Sequence, residues 1–467
     1  MKKAIIRLFT ILVILVFIPT MTFADSAERV DYSYFDDYII GIGFDEITPN
    51  HLSGNGWEYN PDTLTLTINN YVCTNETPHP IEGTYDGYWA NFASRDGIYI
   101  YSYNKKLDFN IVIIGKNKIY PGADDSCVIE ADCCDVKISG NGTLEGISNA
   151  LGNAEDTSAI WVEKGNLEIG GSVFLDLRTS KYKNGEDKTI LCSSNILITD
   201  NAKVNCIAGR RSSYSSGIYA EGILTINDNA VVDSSSGIVT KEGGKSVALF
   251  SKKGTRIKDN ARVTVHSGTA KNMSTGVASD KNIFIQGGKV SAKASKVTGK
   301  STKKNSGVES SAIIADKDIS IANAEIIAES DNSTDSDAIL STGGSITIIN
   351  SDVRAIGGKA SGKKSTWKNA GLHANNKCII ENSNISASSL ASKRAYGIFA
   401  KNSRISITGI SNVTALGKIA FNKKPIFLNS KAVIFAGESD MSATCVARSS
   451  KRTYTKHKYV NVTTTEK

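Results

Sequence analysis

The chain has 467 residues, with 54 Lys and Arg against 47 Asp and Glu, and 40 glycines against 7 prolines and 4 methionines. Beyond the first 24 residues no segment is long and apolar enough for a membrane helix, which excludes a helical membrane protein. The abundance of Ser, Thr, Asn, Ile and Val agrees instead with a strand-rich, soluble protein that has an aliphatic core.

Residues 1–24 have the pattern of a secretory signal peptide. Two lysines follow the first Met, an apolar run covers residues 8–18, and Ala24 ends a small-residue cleavage site. The pattern predicts a mature chain that begins at Asp25 and is secreted. An extracellular location follows, with association with the cell surface left open.

Residues 25–93 do not follow the pattern of the rest of the chain and predict an N-terminal β cap. Three short strands are expected here, at residues 39–44, 56–59 and 63–68, the last one after a turn at Pro61. The open end of a coil of strands exposes apolar core and unpaired strand edges. A cap that covers this end is therefore expected.

A unit of about 30 residues then recurs along the chain. In its clearest copy, strands at residues 217–220 and 224–226 are followed by an Asp-Asn-Ala corner and by a third strand from Val231. Corresponding units begin at Gly276 and Gly397. Self-similarity at this period indicates a repeat architecture.

The middle strand of the unit can be followed through eleven copies that lie 25 to 36 residues apart. Its predicted first residues are Ile111, Val136, Leu167, Ile196, Leu224, Thr255, Ile283, Ile319, Ile346, Cys378 and Ile405. After each copy comes a residue that tolerates a left-handed backbone. The predicted corner residues are Gly115, Gly140, Gly171, Asn201, Asn229, Asn260, Gly287, Asn323, Asn350, Asn382 and Gly409. The pattern predicts an all-β fold, a parallel β-helix of about eleven coils over residues 94–416, followed by a C-terminal cap and basic tail over residues 417–467.

With these corner residues, residues 94–416 resemble the pectate-lyase-like right-handed parallel β-helix superfamily, in which an asparagine ladder recurs at this corner. A second resemblance rests on Gly-Asn-Gly-Trp-Glu-Tyr at residues 54–59 and Thr-Leu-Thr-Leu at residues 63–66. Together with the repeats, these segments are similar to secreted β-helix proteins of Gram-positive bacteria that are described as carbohydrate-binding. The resemblance implies a right-handed coil, an extracellular location and a carbohydrate ligand.

Charge is distributed unevenly along the predicted mature chain. Residues 25–160 carry 7 basic and 22 acidic side chains, a net charge of −15, whereas residues 161–467 carry 44 and 25, a net charge of +19. Two solvated faces that keep a long coil soluble would explain this asymmetry. An anionic partner at the basic end would explain it equally.

The sequence gives little support to catalysis. Its five histidines are scattered, and no motif of a Ser-His-Asp or Cys-His site accompanies them. The acidic group with the best prospect of holding Ca²⁺ consists of Asp124, Asp125, Asp132 and Asp135, and a solvated acidic loop is its simpler explanation. We therefore expect no catalytic residue, no metal site and no cofactor, with Ca²⁺ as the one alternative.

Export would permit disulfides among the eight cysteines. However, Cys378 replaces an inward Leu or Ile of a middle strand, and Cys134 has the parity of Val136. We expect both thiols to pack in the core.

Strand parity favours a binding function. If Ile218 points into the coil, Tyr219 points outward. The same register predicts an outward column of first-strand residues, formed by Tyr99, Trp161, Tyr219, Phe250, Ala278, Ile314, Leu340, His373 and Phe399. Aromatic rings in such a column could stack on sugars, whereas loops folded over it would make it a second small core. The sequence leaves both alternatives open.

Lysines are concentrated in the loops that connect a third strand to the next first strand, and they should form a basic ridge beside this column. The predicted ligand-binding residues are Trp161, Tyr219, Phe250, His373, Phe399, Lys363, Lys364 and Lys368. The leading hypothesis is a secreted, non-catalytic glycan-binding or adhesive protein whose partner is an acidic polysaccharide or cell-wall polymer and not nucleic acid. The alternatives are a lyase or hydrolase that acts on pectin-like polymers, and a structural surface spacer.

Overall fold

The computed structural model describes residues 35, 37–43, 45–74, 84–85, 88–89, 96–103, 106–122, 126–148, 156–180, 185–299, 308–359, 369–389, 394–422, 426–428, 432–446 and 457–465. These residues form an all-β structure, a right-handed parallel β-helix of about 10 turns. The predicted fold class is confirmed, with a count close to the eleven coils expected. Within the described residues, no helix is long and apolar enough to cross a membrane. The predicted signal peptide lies outside them.

Each turn of the coil contributes a first strand to one long sheet. The first strands are Ile98–Ser102, Ile129–Asp132, Ile160–Glu163, Glu186–Cys192, Tyr214–Ala220, Lys245–Ser251, Met273–Ser279, Glu309–Ala315, Asp335–Ser341, Asn369–Ala374, Ala395–Ala400 and Ile419–Phe421. Neighbouring members pair in parallel from the first to the last. At the N-terminal end, Tyr38–Ile42 adds an antiparallel strand to Ile98–Ser102, with Asp45–Ile47 beyond it.

The other strands of each turn form the remaining walls of the coil. The middle strands are Thr65–Asn69, Leu107–Ile114, Cys134–Gly140, Leu167–Ile169, Ile196–Ile198, Ile223–Ile226, Ile319–Ala322, Ile346–Ile349, Cys378–Glu381, Ile405–Thr408 and Ile426–Leu428. The third strands are Val72–Thr74, Lys116–Tyr120, Thr143–Ser148, Phe174–Thr179, Lys203–Ile207, Val231–Ser235, Glu325–Ser330, Asp352–Gly357, Asn384–Ser389 and Ser411–Leu416. In two turns a single long strand forms both the middle strand and the third strand, and these long strands are Gly254–His266 and Ile283–Ala294.

The ends of the coil carry antiparallel strands. The additional antiparallel strands are Ser53–Gly54, Trp57–Asn60, Thr84–Tyr85, Tyr88–Trp89, Ala432–Gly437, Thr444–Cys445 and Tyr459–Thr464. Asp156–Thr157 instead lies along the coil and pairs in parallel with Glu186–Cys192. Tyr459–Thr464 pairs with both Ser411–Leu416 and Ala432–Gly437, so the last third strand does not end in an open edge. Parallel pairing already begins at Thr65–Asn69, inside the segment predicted as the N-terminal cap.

Each strand places alternate residues inside the coil. These inward residues are mostly Ile, Val, Leu and Ala, so the core is aliphatic. In the first strand Tyr214–Ala220, the side chains of Ile218 and Ala220 are fully buried, while Tyr219 between them is partly exposed. Burying one such Ile stabilises the fold by about 1.5 to 3 kcal/mol relative to leaving it exposed. Cys134 and Cys378 are fully buried in this core, as predicted.

The predicted register of the middle strands is correct at ten of eleven positions, from Val136 to Ile405. The exception is Ile111, because Phe109 pairs with Val136 and Ile111 pairs with Ile138. The strand Leu107–Ile114 is eight residues long and buries every second side chain. A shift of two residues keeps the parity, so the hydrophobic pattern alone cannot fix the register there.

The left-handed corner is confirmed at eight of the eleven predicted residues and wrong at three. At these three corners the left-handed residue is the preceding aspartate, namely Asp200, Asp228 and Asp259, with φ of 58°, 54° and 59°, in place of Asn201, Asn229 and Asn260. Asp and Asn both tolerate this conformation, so an Asp-Asn pair is ambiguous in the sequence. The carboxylate also bonds to the neighbouring turn, since Thr199 Oγ1 donates to Asp228 Oδ2 over 2.5 Å.

The asparagines displaced from the left-handed position still form a ladder between turns. Asn229 Nδ2 donates to Asn201 Oδ1 over 3.2 Å, and Asn260 Nδ2 donates to Asn229 Oδ1 over 3.3 Å. The same bond joins Asn350 to Asn323 over 3.3 Å. The ladder is therefore present, but at these corners the backbone strain and the side-chain bond belong to different residues.

Candidate functional site

The outward side chains of the first strands form one continuous column along the coil, which we call the outer column. Its members are Tyr99, Glu130, Trp161, Leu191, Tyr219, Phe250, Ala278, Ile314, Leu340, His373 and Phe399. All nine predicted members are in register, about 4.8 Å from strand to strand. Glu130 and Leu191 are additional, because Val128 and Thr189 stand where other turns have the Gly or Ala that marks the strand in the sequence.

The outer column is covered in its centre. Ala278, Ile314 and Leu340 are 3%, 7% and 7% exposed, and with the buried Val247 they form a second apolar cluster outside the coil. Phe250 packs against this cluster at its edge. In this stretch the outer column therefore forms a second small core and not an open binding surface.

Next to the partly exposed Glu130, four further consecutive turns of the outer column keep their outward side chains partly exposed, and three of these side chains are aromatic. They place Trp161, Leu191, Tyr219 and Phe250 side by side, a set that we call the aromatic patch. The rings of Tyr219 and Phe250 are stacked, with centroids 4.8 Å apart and an interplanar angle of 29°. The ring of Tyr214 meets Tyr219 edge-on at 5.9 Å.

Two lysines lie against the ring of Tyr219 in the aromatic patch. Lys188 Nζ lies 5.4 Å and Lys252 Nζ lies 5.9 Å from the ring centroid of Tyr219. Each lysine is bound to a glutamate, Lys188 to Glu186 over 2.7 Å and Lys252 to Glu221. Cation–π contacts of this kind contribute about 0.5 to 1 kcal/mol each at exposed sites. The local charge cancels, so the aromatic patch offers stacking surface rather than net charge.

Burial raises the pKa of Tyr219 above its ordinary value, against the opposing charges of Lys252 and Lys188. Its hydroxyl is therefore protonated at neutral pH and can donate a hydrogen bond to a ligand. A ring that stacks and a hydroxyl that donates are the two properties that a sugar-binding tyrosine needs.

A second group of polar side chains lies further along the same face, and we call it the acid cluster. It consists of Glu309, Asp335, Asp337 and His373. Glu309 and Asp335 are direct neighbours in register, and Asp337 follows two positions along the strand. His373 Nδ1 lies 2.8 Å from Asp337 Oδ2, and the backbone N–H of Ala370 donates to Asp337 Oδ1 over 2.6 Å.

Burial controls the protonation of the acid cluster. It raises the pKa of Asp335 to about 9, with the charges of Asp337 and Glu309 adding to the effect. Burial also raises the pKa of Glu309 to about 7, although a hydrogen bond donated by Ser311 opposes this. Asp335, which keeps its proton at neutral pH, and Glu309, which titrates near neutral pH, thus lie beside a hydrogen-bonded Asp–His pair, an arrangement suited to general acid–base chemistry.

Strand parity predicts His373 on the outer face but not the three carboxylates, because the first strands Glu309–Ala315 and Asp335–Ser341 bend where strict alternation would continue. Ser311 pairs with Asp337 and Ile313 with Ile339, while Ala312 is left out of the ladder. Beyond this bend the parity changes, so Asp337 lies on the outer side with His373. The signal was a small residue at the same place in most turns.

The acidic group considered as an alternative Ca²⁺ site has two members among the described residues, Asp132 and Asp135. Asp132 Oδ1 binds Lys164 over 3.3 Å, and Asp135 Oδ1 binds Lys106 over 2.8 Å, so each carboxylate has its own lysine. Burial works to raise the pKa of Asp135, but Lys106 and hydrogen bonds from Asn166 lower it overall. Asp124 and Asp125 lie outside the described residues.

The predicted basic ridge is described in part. Lys363, Lys364 and Lys368 lie outside the described residues. Lys296 and Lys359 are exposed at one corner of the coil, two turns apart. The turn between them joins both, because Val297 N donates to Asn332 O over 3.3 Å and Lys359 N donates to Asn332 Oδ1 over 2.8 Å.

Of the predicted ligand-binding residues, Trp161, Tyr219 and Phe250 come together in the aromatic patch. His373 lies in the acid cluster with its ring edge-on to Phe399 at 4.8 Å, and Phe399 is 4% exposed. No family model matches the chain, and neither the curated proteins nor the solved structures contain a match. Any assignment of function therefore depends on the geometry of this face.

Proposed function

We propose that the protein is a secreted, non-catalytic glycan-binding or adhesive protein of the pectate-lyase-like β-helix type. The observation that supports this best is the aromatic patch, in which Trp161, Tyr219 and Phe250 are partly exposed on a rigid sheet. Rings held at the spacing of the strands offer a preformed surface on which a sugar chain can stack along the coil.

The ligand class that we propose is an acidic polysaccharide, such as pectate or an anionic cell-wall polymer. Residues 161–467 carry a net charge of +19, and Lys296 and Lys359 project from the same corner of the coil. Solvent-exposed lysines attract a polyanion over about 10 Å at moderate ionic strength. Stacking would then position the chain and the lysines would select its charge.

The acid cluster favours a second candidate function, a hydrolase or lyase that acts on the same class of polymer. In it, Asp335 would act as the proton donor, because a carboxyl whose raised pKa keeps it protonated at neutral pH is the usual form of a general acid. Asp337 would orient His373, which would serve as the base. The covered stretch of the outer column beside this cluster makes binding without turnover the preferred proposal.

A screen of the secreted chain against neutral and acidic polysaccharides tests the class of ligand. We expect retention on polygalacturonate at low salt and little retention on uncharged polymers. Binding to no glycan at all would leave the structural spacer as the function.

The catalytic candidate is tested separately by incubating the protein with polygalacturonate and Ca²⁺ while following unsaturated products and reducing ends. We expect no turnover. Turnover that is lost in Asp335→Asn but retained in the exposed control Asp233→Asn would establish the second candidate instead.

A further inference from the structure

A mixed group of metal-ligating side chains lies at the N-terminal end of the first-strand sheet. Asp96, Cys127 and Glu130 each place one ligand atom within 4.8 Å of the other two. Asp96 and Cys127 are 5% and 2% exposed, and Glu130 is partly exposed. Ligand atoms around a tetrahedral zinc ion stand about 3.5 Å apart, so the three side chains are close enough to share one ion.

The stacking of two turns produces this convergence. Asp96 and Cys127 each lie two residues before the start of a first strand, and they are one turn apart, with Gly97 N donating to Cys127 O over 2.9 Å. The backbone N–H of Cys127 donates to Asp96 Oδ1 over 2.6 Å, which fixes the orientation of that carboxylate. Glu130 lies in the outer column between Tyr99 and Trp161. The backbone therefore presets all three positions.

The charges of the group suit a cation. Asp96 and Glu130 bring two carboxyl groups next to one thiol, and Asp96 and Cys127 are buried. A divalent cation bound by all three side chains would offset the charge of both carboxylates and of the thiolate that forms when the thiol proton is released.

We propose that Asp96, Cys127 and Glu130 bind one Zn²⁺ ion. The thiolate selects a borderline or soft metal over Ca²⁺ and Mg²⁺, which prefer oxygen ligands. Three protein ligands leave a fourth position for water, and the partly exposed Glu130 places that position towards the outer face. This site is separate from the predicted Ca²⁺ group, whose described members Asp132 and Asp135 are bound to lysines.

The test uses the full secreted chain, treated with a chelator, dialysed and titrated with Zn²⁺ and with Co²⁺. We expect one equivalent of metal and, for Co²⁺, a near-ultraviolet charge-transfer band from thiolate to metal. Cys127→Ser should remove this band and weaken Zn²⁺ binding by about 100-fold or more, since even outer-shell changes cost 10- to 100-fold.

Two matched controls separate this site from other thiols. Cys133→Ser alters the half-buried thiol next to Asp132, and Cys378→Ser alters a core thiol, so both should keep the band and the native affinity. If Cys127→Ser does not fold, Glu130→Gln takes its place, with the charge-transfer band shifted and the affinity lowered by at least about tenfold. Absence of stoichiometric Zn²⁺ binding, or native affinity in both Cys127→Ser and Glu130→Gln, would overturn the proposal.

Discussion

The stretch of the outer column around Tyr219 and the stretch around Leu340 differ although they occupy the same place in the repeat. Around Tyr219 the rings are partly exposed and held by charged neighbours, whereas Leu340 is 7% exposed in an apolar cluster. The interior of both stretches is equally aliphatic and buried. The difference teaches that the repeat fixes the inside of every turn and leaves the outside free to specialise, so function has to be sought in the outer column.

The largest effect on stability is expected from a substitution in the covered stretch of the outer column. Leu340→Ala should lower the free energy of unfolding by about 2 to 4 kcal/mol, because it opens a cavity in a packed apolar cluster. Glycan binding should not change. Leu416→Ala, at a leucine that is 43% exposed, serves as the matched control and should cost less than about 0.5 kcal/mol. Equal melting temperatures for the two variants would mean that the cluster is not packed.

A second change acts on the acid cluster through pH. The pKa of Asp335 is raised to about 9 in the folded chain, against about 3.9 when unfolded. Between these values Asp335 binds a proton in the folded chain and not in the unfolded chain, so its contribution to native stability falls as pH rises from about 4 to about 9.

Asp335→Asn cannot ionise and should lose that dependence. At pH 8 we expect it to be more stable than the native chain by about 1 to 3 kcal/mol, with little difference at pH 4. Denaturant unfolding at both pH values measures this. Asp233→Asn, at an exposed position, should show the native pH dependence. If Asp335→Asn is no more stable than the native chain at pH 8, Asp335 does not keep its proton in the folded chain at that pH.

A third substitution lies at the corner of the turn that carries Tyr219. It should alter stability without changing the aromatic patch. Asp228→Val should lower stability by about 1 to 3 kcal/mol, because Val is strained at a positive φ and the bond from Thr199 is lost. Asn229→Val loses only the ladder bonds and should cost about 1 kcal/mol or less. Thermal unfolding of both variants measures which of them is less stable. If Asn229→Val is the less stable variant, Asn229 and not Asp228 occupies the left-handed position.

This corner also shows how far the sequence could predict the structure. The inward aliphatic residues of each turn, such as Ile218 and Leu224, recur at the same places in the repeat, so the coil and nearly all of the register of its middle strands followed from the pattern. The Asp-Asn pairs did not reveal which residue takes the left-handed position, since both can. Only the stacking of neighbouring turns decides it.

The candidate site was predictable only in part, for two physical reasons. The outer column through Tyr219 and Phe250 follows from parity, but its exposure depends on what packs over it, as at Leu340. The acid cluster was hidden because the bend at Ala338 changes the parity, so alternation placed Asp337 inside the coil. Backbone irregularities of this kind leave a weak sequence signal, here a recurring small residue.

The smallest expected effect concerns charge selection. Replacing Lys363, Lys364 and Lys368 together with Gln should weaken binding to polygalacturonate by about tenfold or less at low salt, and it should flatten the salt dependence, because exposed charges are screened above about 0.15 M. Lys296→Gln combined with Lys359→Gln should act in the same direction. Titrations at two salt concentrations measure both. A triple variant with the native salt dependence would rule these lysines out as the source of the attraction.

The most direct test of the account compares the affinity of the native chain, Tyr219→Ala and Phe284→Ala for polygalacturonate at low and at raised salt. Phe284 is a matched control, since it is 42% exposed on a middle strand away from the aromatic patch. We predict that Tyr219→Ala weakens binding by about tenfold at both salt concentrations, because stacking is insensitive to screening, and that Phe284→Ala binds as the native chain does. Equal affinities for Tyr219→Ala and Phe284→Ala would contradict binding at the aromatic patch.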